Sequence, residues 1–304
     1  MIKAFDVCAS DIQILEEQYH NGLNFRLYGV SDVDSPENNS VIFVKKKINE
    51  SLFADIKEVV IVAPISITMS NAFLSAHVVV IAEKNKNLFA NILYEILDCN
   101  NKLKIQANKE LKQKSHITEI GKTSAIHSTS QIGMNVVIGE HCEIGANVII
   151  NDNVVIGDNV VIKENCIIGN ADADVYFDNN GYCRTVPHLA GVIIETGCLI
   201  LAKATISAGD TRPTTISKNC LISIGAIIAH NTIIGSKASI GAGTIICGHC
   251  NIGAEVYMAP GVFVRNRISI ADKTFLGLGC VVTKSIKSEA RFFGNPAKKL
   301  EFGE

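Results

Sequence analysis

The chain has 304 residues, 28 basic and 30 acidic, for a net charge of −2. That length supports two domains with real cores, and the near-neutral charge gives no footprint for nucleic acid or an anionic membrane. No apolar run reaches about 18 residues, so no membrane span is expected; MIKAFDVCASDIQ lacks a basic region followed by an apolar core, so no export signal is expected and the cytoplasm is the expected location.

Residues 1–112 read as a small α/β domain. DIQILEEQYHN predicts an amphipathic helix from Asp11. FRLYGV, SVIFVKK, EVVIVAP and HVVVIAE read as strands, and NKNLFANILYEILDCN as a closing helix from Asn85 to about Cys99. Only Gly22 and Gly29 occur here, so a glycine-rich dinucleotide loop is absent. Lys45–Lys47 suit either a diphosphate or a solvated edge strand. LKQKSHITEIG is a polar bridge into the second, longer part of the chain.

From Ile120 a large aliphatic recurs every sixth residue, through Ile126, Ile132 and on to Ile168, and again from Ile216 to Val282. This period fits neither a helix nor a long strand; it signals a repeat solenoid. Each six-residue rung is a short strand and a corner, and three rungs make one coil, so residues i and i+18 stack about 4.8 Å apart. Gly235, Gly241 and Gly253, each following its aliphatic, suit tight corners. Cys142, Cys166, Cys198 and Cys220 lie in the repeat and read as reduced packing thiols. The expected domains are residues 1–112, a solenoid over 113–287 with a loop excursion at 170–191, and a tail over 288–304.

Two interruptions break the register. NADADVYFDNNGYCRTVPHLAG is a polar excursion of some twenty residues, and SAGDTRPT carries a four-residue insertion. Long loops on rigid scaffolds tend to be functional. Asp178, Asn180, Tyr182 and His188 of the first are therefore candidates for holding a substrate, with loop-stabilising roles as the plainer alternative.

The chemistry centres on His230 and Gly248, one full coil apart. Imidazole titrates near neutrality and suits a general base. The Gly248 N–H, one layer on, suits the oxyanion of a thioester under attack. His249 borders that site and Asn231 follows the histidine. Cys247-Gly248-His249-Cys250 spells a dithiol motif, but it lies inside the unbroken register, without the helix N-terminus that redox cysteines use. A zinc site there lacks a fourth ligand, and no metal is expected. Lys284, Arg291, Lys298 and Lys299 suit the phosphates of coenzyme A, or plain solvated surface.

The repeat resembles the hexapeptide-repeat left-handed β-helix. The order of RLYGVSDVDSPENNSVIFVKKK, EVVIVAP, the aromatic and Asp-rich loop, VPHLAGVII, SAGDTRPT and IIAHNTIIG is similar to UDP-3-O-acylglucosamine N-acyltransferases of the lipid A pathway, over about residues 24–250. The resemblance implies a homotrimer with acyltransferase sites between subunits, a uridine-binding N-terminal domain in which Phe43 stacks on the base, His230 as base and Gly248 as oxyanion donor. It departs in three places. No second aromatic occurs near Asn49; Ser223 replaces the Asp expected to orient the histidine, with Asp210 as a stand-in; and Arg267 replaces a second histidine. The ending LGLGCVVTKSIKSEARFFGNPAKKL resembles acetyl-CoA-dependent hexapeptide transferases, without the helical extension that engages acyl carrier protein. The expected function is thus N-acetyl transfer from acetyl-CoA to a UDP- or dTDP-linked amino sugar for surface polysaccharide synthesis. The alternatives are the acyl-carrier-protein-dependent lipid A enzyme and a non-catalytic sugar-binding trimer.

Overall fold

A computed structural model describes residues 4–19, 23–110, 118–178 and 180–299. The chain forms two units: Met1–Ser115 with Ala173–Ala190 and Asp210–Arg212, and His116–Asp172 with Gly191–Gly209 and Pro213–Glu304. The polar bridge at 111–117 and the last residues of the tail, 300–304, lie outside the described residues.

In the first unit, β1 (Val7–Cys8) pairs antiparallel with β2 (Arg26–Leu27) on either side of α1 (Gln13–Tyr19). Four strands, β3 (Gly29–Ser31), β4 (Ser40–Phe43), β5 (Val60–Pro64) and β6 (Val78–Ala82), then form an all-parallel sheet in sequence order. Both faces are buried. Val41, Phe43, Val60 and Val62 share one core with Leu15, Phe89 and Leu93, while Ile42, Val44 and Ile61 face Phe53 and Phe73. A parallel sheet covered on both faces reads as continuous apolar runs, which is why these strands were legible. The α-helix expected from Asp11 starts at Gln13, after a 3-10 turn over Ala9–Asp11. A short helix the periodicity does not announce, α2 (Asn71–Ala76), is capped by Ser70 Oγ accepting from Phe73 N at 3.1 Å. The closing helix α3 runs from Asn85 to Glu110, beyond the expected end near Cys99, because the following Lys, Leu, Gln and Ala residues favour helix even without an apolar stripe.

The excursion after Gly169 is not a free loop. Val175–Phe177 and Cys183–Thr185 form an antiparallel hairpin. Tyr176, Val186, Leu189 and Ala190 enter the same core as Phe89 and Leu93. On α3, Lys86 Nζ pairs with Asp174 and donates to Val175 O at 2.8 Å, and Tyr94 OH donates to Thr185 O at 2.8 Å.

The second unit is a three-sided parallel β-solenoid, with eight, ten and eight strands in its three sheets among the described residues. Ile138 pairs with Ile156, Ile144 with Ile162 and Ile150 with Ile168, the expected spacing of 18. Across the excursion the spacing widens to 38 (Ile156 with Ile194), across the second interruption to 22 (Ile194 with Ile216), and then returns to 18. The core aliphatics from Ile138 to Val282 are almost wholly buried in one continuous column, each contributing about 1.5–3 kcal/mol. A second buried column holds small residues such as Cys142, Cys220, Thr232 and Cys250. Its thiols and hydroxyls bond corner carbonyls of the next coil: Cys220 Sγ with Gly235 O at 3.1 Å, Thr232 Oγ1 with Cys247 O at 3.2 Å. The cysteines are free.

The corner chemistry differs from the expectation. In the regular coils the left-handed residue lies three past the core aliphatic, as at Asn153 (φ 62°) and Lys237 (φ 59°); of the glycines directly after an aliphatic, Gly169 (φ 85°), where the excursion begins, is left-handed, and Gly235, Gly241 and Gly253 are not. Gly235 is small for another reason: a Cβ there would lie 2.5 Å from Ala254 N of the next coil. The tail closes the last coil. Arg291–Phe293 adds to the second sheet beside Phe275, and Lys298–Lys299 folds back on it antiparallel.

Candidate active site

His230 stands at a corner of the solenoid between the third and first sheets, two residues past Ile228. One coil below, two residues past Ile246, is Gly248. A Cβ on Gly248 would lie 2.6 Å from Cε1 and 2.7 Å from Nε2 of His230. The backbone there does not need a left-handed φ. Gly248 is therefore glycine for space: the imidazole of the coil above lies over its Cα.

The group that orients His230 is Asp172. Its Oδ2 lies 2.9 Å from His230 Nδ1 and accepts from the His230 backbone N–H at 3.1 Å. A carboxylate only accepts, so Nδ1 carries the proton and the Nε2 lone pair is left to act as base. The side chains of His230 and Asp172 are 13% and 23% exposed, enough shielding to strengthen the pair while leaving it accessible. Asp210 is the expected stand-in; the carboxylate bonded to His230 Nδ1 is that of Asp172. Asp210 belongs to the first unit, where it hydrogen-bonds Asp174. Asp172 sits where the excursion leaves the solenoid. The register shifts between Ile168 and Asn170, and Ala208, the corner residue between Asn170 and His230, is small.

The Gly248 N–H makes no hydrogen bond among the described residues. At the equivalent corner position, Met134 N, Glu140 N and Ala254 N each donate to an Asp one coil on, at 2.7–2.8 Å. Below Gly248 that position is Asn266. The donor that elsewhere is capped is here left for a ligand. The Gly248 carbonyl accepts from Arg267 N at 3.0 Å. His249 takes the left-handed corner (φ 61°) and packs its ring edge-on to His230 at 5.0 Å. Asn231 is fully buried at the preceding left-handed corner.

The dithiol spelling is structural. Cys250 is fully buried with Sγ 3.2 Å from Arg265 O. Burial first, and then the charge of Asp172, push the Cys247 thiol up, opposite to what a redox cysteine needs.

The other expected residues separate. Phe43 is 8% exposed, stacks on Phe89 at 4.9 Å and carries Lys45 Nζ 5.6 Å from its ring centre. Asp178 accepts from Asn180 N, Tyr182 N and Arg184 Nε, so it holds the hairpin turn. Tyr182 is exposed at that tip, with Arg184 over its ring. His188 is half-buried in the first unit. Of the expected coenzyme A residues, Lys284 lies in the corner column of His230 and Gly248, two coils below Gly248. Arg291 and Lys298 lie on the second sheet, on the side away from that corner.

No protein family matches the chain in sequence, and no curated protein does. Solved structures resemble it. A UDP-N-acetylglucosamine acyltransferase from Francisella novicida is 25% identical over 57% of this chain and 66% of that one, just under two thirds of its length, with a TM-score of 0.48. One from Bacteroides fragilis is 22% identical over 60% and 73%, TM-score 0.45. A hexapeptide transferase family protein from Anaplasma phagocytophilum is 20% identical over 60% and 80%, TM-score 0.35. These are distant likenesses; the fold and the chemistry rest on this chain's own residues.

Proposed function

We propose that this protein is an acyltransferase that moves an acyl group, acetyl from acetyl-CoA, onto the amine of a nucleotide-linked (UDP or dTDP) amino sugar. The observation that carries it is the Asp172–His230–Gly248 arrangement. Asp172 holds the proton on Nδ1, and Nε2 takes a proton from the substrate ammonium. The freed amine attacks the thioester carbonyl, and the oxyanion meets the unbonded Gly248 N–H. Collapse expels the thiolate, which takes the proton from the imidazolium, and the neutral imidazole so restored accepts the remaining proton of the acylated nitrogen and passes it to solvent. No covalent acyl-enzyme is needed.

The reading extends to a homotrimer in the cytoplasm serving surface polysaccharide synthesis. On the third sheet Ile227, Ile245 and Phe263 stand in one outward column, with Ile227 and Phe263 exposed, an apolar stripe of the kind further copies of the chain would cover. The test is thiol release from acetyl-CoA across a panel of UDP- and dTDP-amino sugars. A His230→Ala variant is expected to lose about 10²–10⁴-fold in kcat. Retention of more than about a tenth of wild-type kcat would remove His230 as base. Silence across the panel, with turnover from a hydroxyacyl carrier protein, would move the reading to the lipid A type of enzyme.

A further inference from the structure

The short helix α2 (Asn71–Ala76) is seated on the first unit by one side chain. Of its six residues only Phe73 is buried, beside Phe53 in the core that holds Ile42, Val44 and Ile61. Its other fastenings lie at its two ends, and both are titratable. At the N-terminus the Glu50 carboxylate accepts from Ser70 N at 2.8 Å and from Ser70 Oγ at 2.6 Å, and Ser70 Oγ in turn caps Phe73 N. At the C-terminus stands His77, its ring 4.6 Å from that of Phe73 and 5.8 Å from that of Phe53. His77 Nδ1 is buried and bonds nothing among the described residues. Two hollows flank the helix. One, of about 390 Å³, is lined by Ala72 and Phe73 with Phe53 and Ile56; the other, of about 400 Å³, by Leu74 and Ser75 with Leu23 and Val59. Ala76 and His77 line both.

We infer that α2 is an acid-released lid: protonating His77, and then Glu50, frees the helix and joins the two hollows into one apolar cleft, while the rest of the first unit stays folded. The neutral imidazole keeps its one proton on Nε2 and leaves Nδ1 a bare lone pair. The imidazolium carries N–H groups on both nitrogens, and the one at Nδ1 is a buried charged donor with no acceptor. The ionisable groups around the ring do not answer it. Glu50 and Lys57 line the first hollow, Tyr19 and Glu58 the second. Glu50 is bonded to Ser70, Tyr19 OH donates to Val79 O, Glu58 accepts from Asn39 Nδ2 at 2.6 Å, and Lys57 is itself a cation. Burial accordingly pushes the His77 imidazole below its ordinary 6.5. The bonds from Ser70 hold the Glu50 carboxyl below its ordinary 4.5. Both signs point the same way, because the open form takes up each proton first. The closed form is at full strength above about pH 6.5, weakens below it through His77, and weakens again below about pH 4.5 through Glu50.

The test is hydrogen exchange of the full chain at pH 7.5 and pH 5.5, read as protection factors so that the pH dependence of chemical exchange drops out. The amides that hold α2 together are Leu74 N, bonded to Ser70 O, and His77 N, bonded to Phe73 O. Their protection is expected to fall at pH 5.5 by up to about 10-fold, the most that one pH unit below 6.5 permits. The amides of β5 are expected to keep theirs. His77→Phe leaves an aromatic ring with no proton to gain, and should hold α2 protection equal at the two pH values. Glu50→Ala removes the tie at the other end and should lower α2 protection by about 10-fold at both. Wild-type protection of β5 at pH 7.5 shows that the variants are folded. A flat wild-type profile, a fall that persists in His77→Phe, or wild-type protection of α2 in Glu50→Ala overturns the lid. So does a fall that β5 shares, since the whole unit would then be unfolding.

Discussion

An imidazole serves as a base at Nε2 only while something keeps the other proton on Nδ1, and at His230 that task falls to one carboxylate oxygen shared between ring and backbone. Asp172→Ala is therefore expected to lower kcat by about 10- to 100-fold, a smaller loss than removing the base itself. KM should change little, and Asp172→Asn, whose amide oxygen can still accept from Nδ1–H, should restore part of the loss, which a merely structural residue would not do. An Asp172→Ala variant with wild-type kcat would sink the role. Gly248→Ala puts a methyl 2.6 Å from the His230 ring. The ring must swing off Asp172, so this substitution is expected to cost as much as His230→Ala, read in the same thiol-release assay. His230 and Gly248 were legible because a period of six places residues 18 apart in adjacent layers. Asp172 was not. It lies 58 residues from its partner, at the point where register is lost, and periodicity says nothing about residues outside the period. The family resemblance leads from His230 to Ser223, and chain proximity to the second insertion leads to Asp210; neither reaches residue 172.

The excursion is the element that departs furthest from its sequence pattern. Its polar and aromatic composition pointed to a substrate loop, yet Tyr176, Val186 and Leu189 are core residues of the first unit and Asp178 is spent on its own turn. Composition shows that a segment has aromatics but not which core they enter. The hairpin is tied to α3 through Asp174. Burial alone would raise that carboxyl, but hydrogen bonds from Asp210 and Lys86 outweigh it and hold it at about 2, against 3.8 when free. A depressed folded-state value means the stabilisation is fully present above about pH 4 and is lost as pH falls towards 2. Asp174→Asn should thus lower the urea midpoint at pH 7, and the gap to wild type should close between about pH 4 and pH 2. A gap that persists at pH 2 would mean that packing, not charge, ties the hairpin down.

At the scale of the molecule, a solenoid is nearly one-dimensional: each coil touches only the coils above and below, so its ends carry a burden its middle does not. Here one end is closed by the tail. Phe275 N, Gly277 N and Val281 N bond Ala290 O, Phe292 O and Gly294 O, and Phe292 packs against the column. The antiparallel return at Lys298–Lys299 places charged side chains where a bare edge would recruit another strand. Removing residues 291–304 takes the acceptors from Gly277 N and Val281 N and uncovers Leu276. Hydrogen exchange is expected to quicken at those two amides and in the coil they belong to. The amides of Gly139 and Gly145, bonded to Ile156 O and Ile162 O many coils away, should keep their protection, because no contact transmits the loss that far without unfolding the coils between. Uniform quickening from end to end would instead mean that the column of buried aliphatics melts as one cooperative unit. The cap would then set the stability of the whole solenoid, including the layer that carries His230.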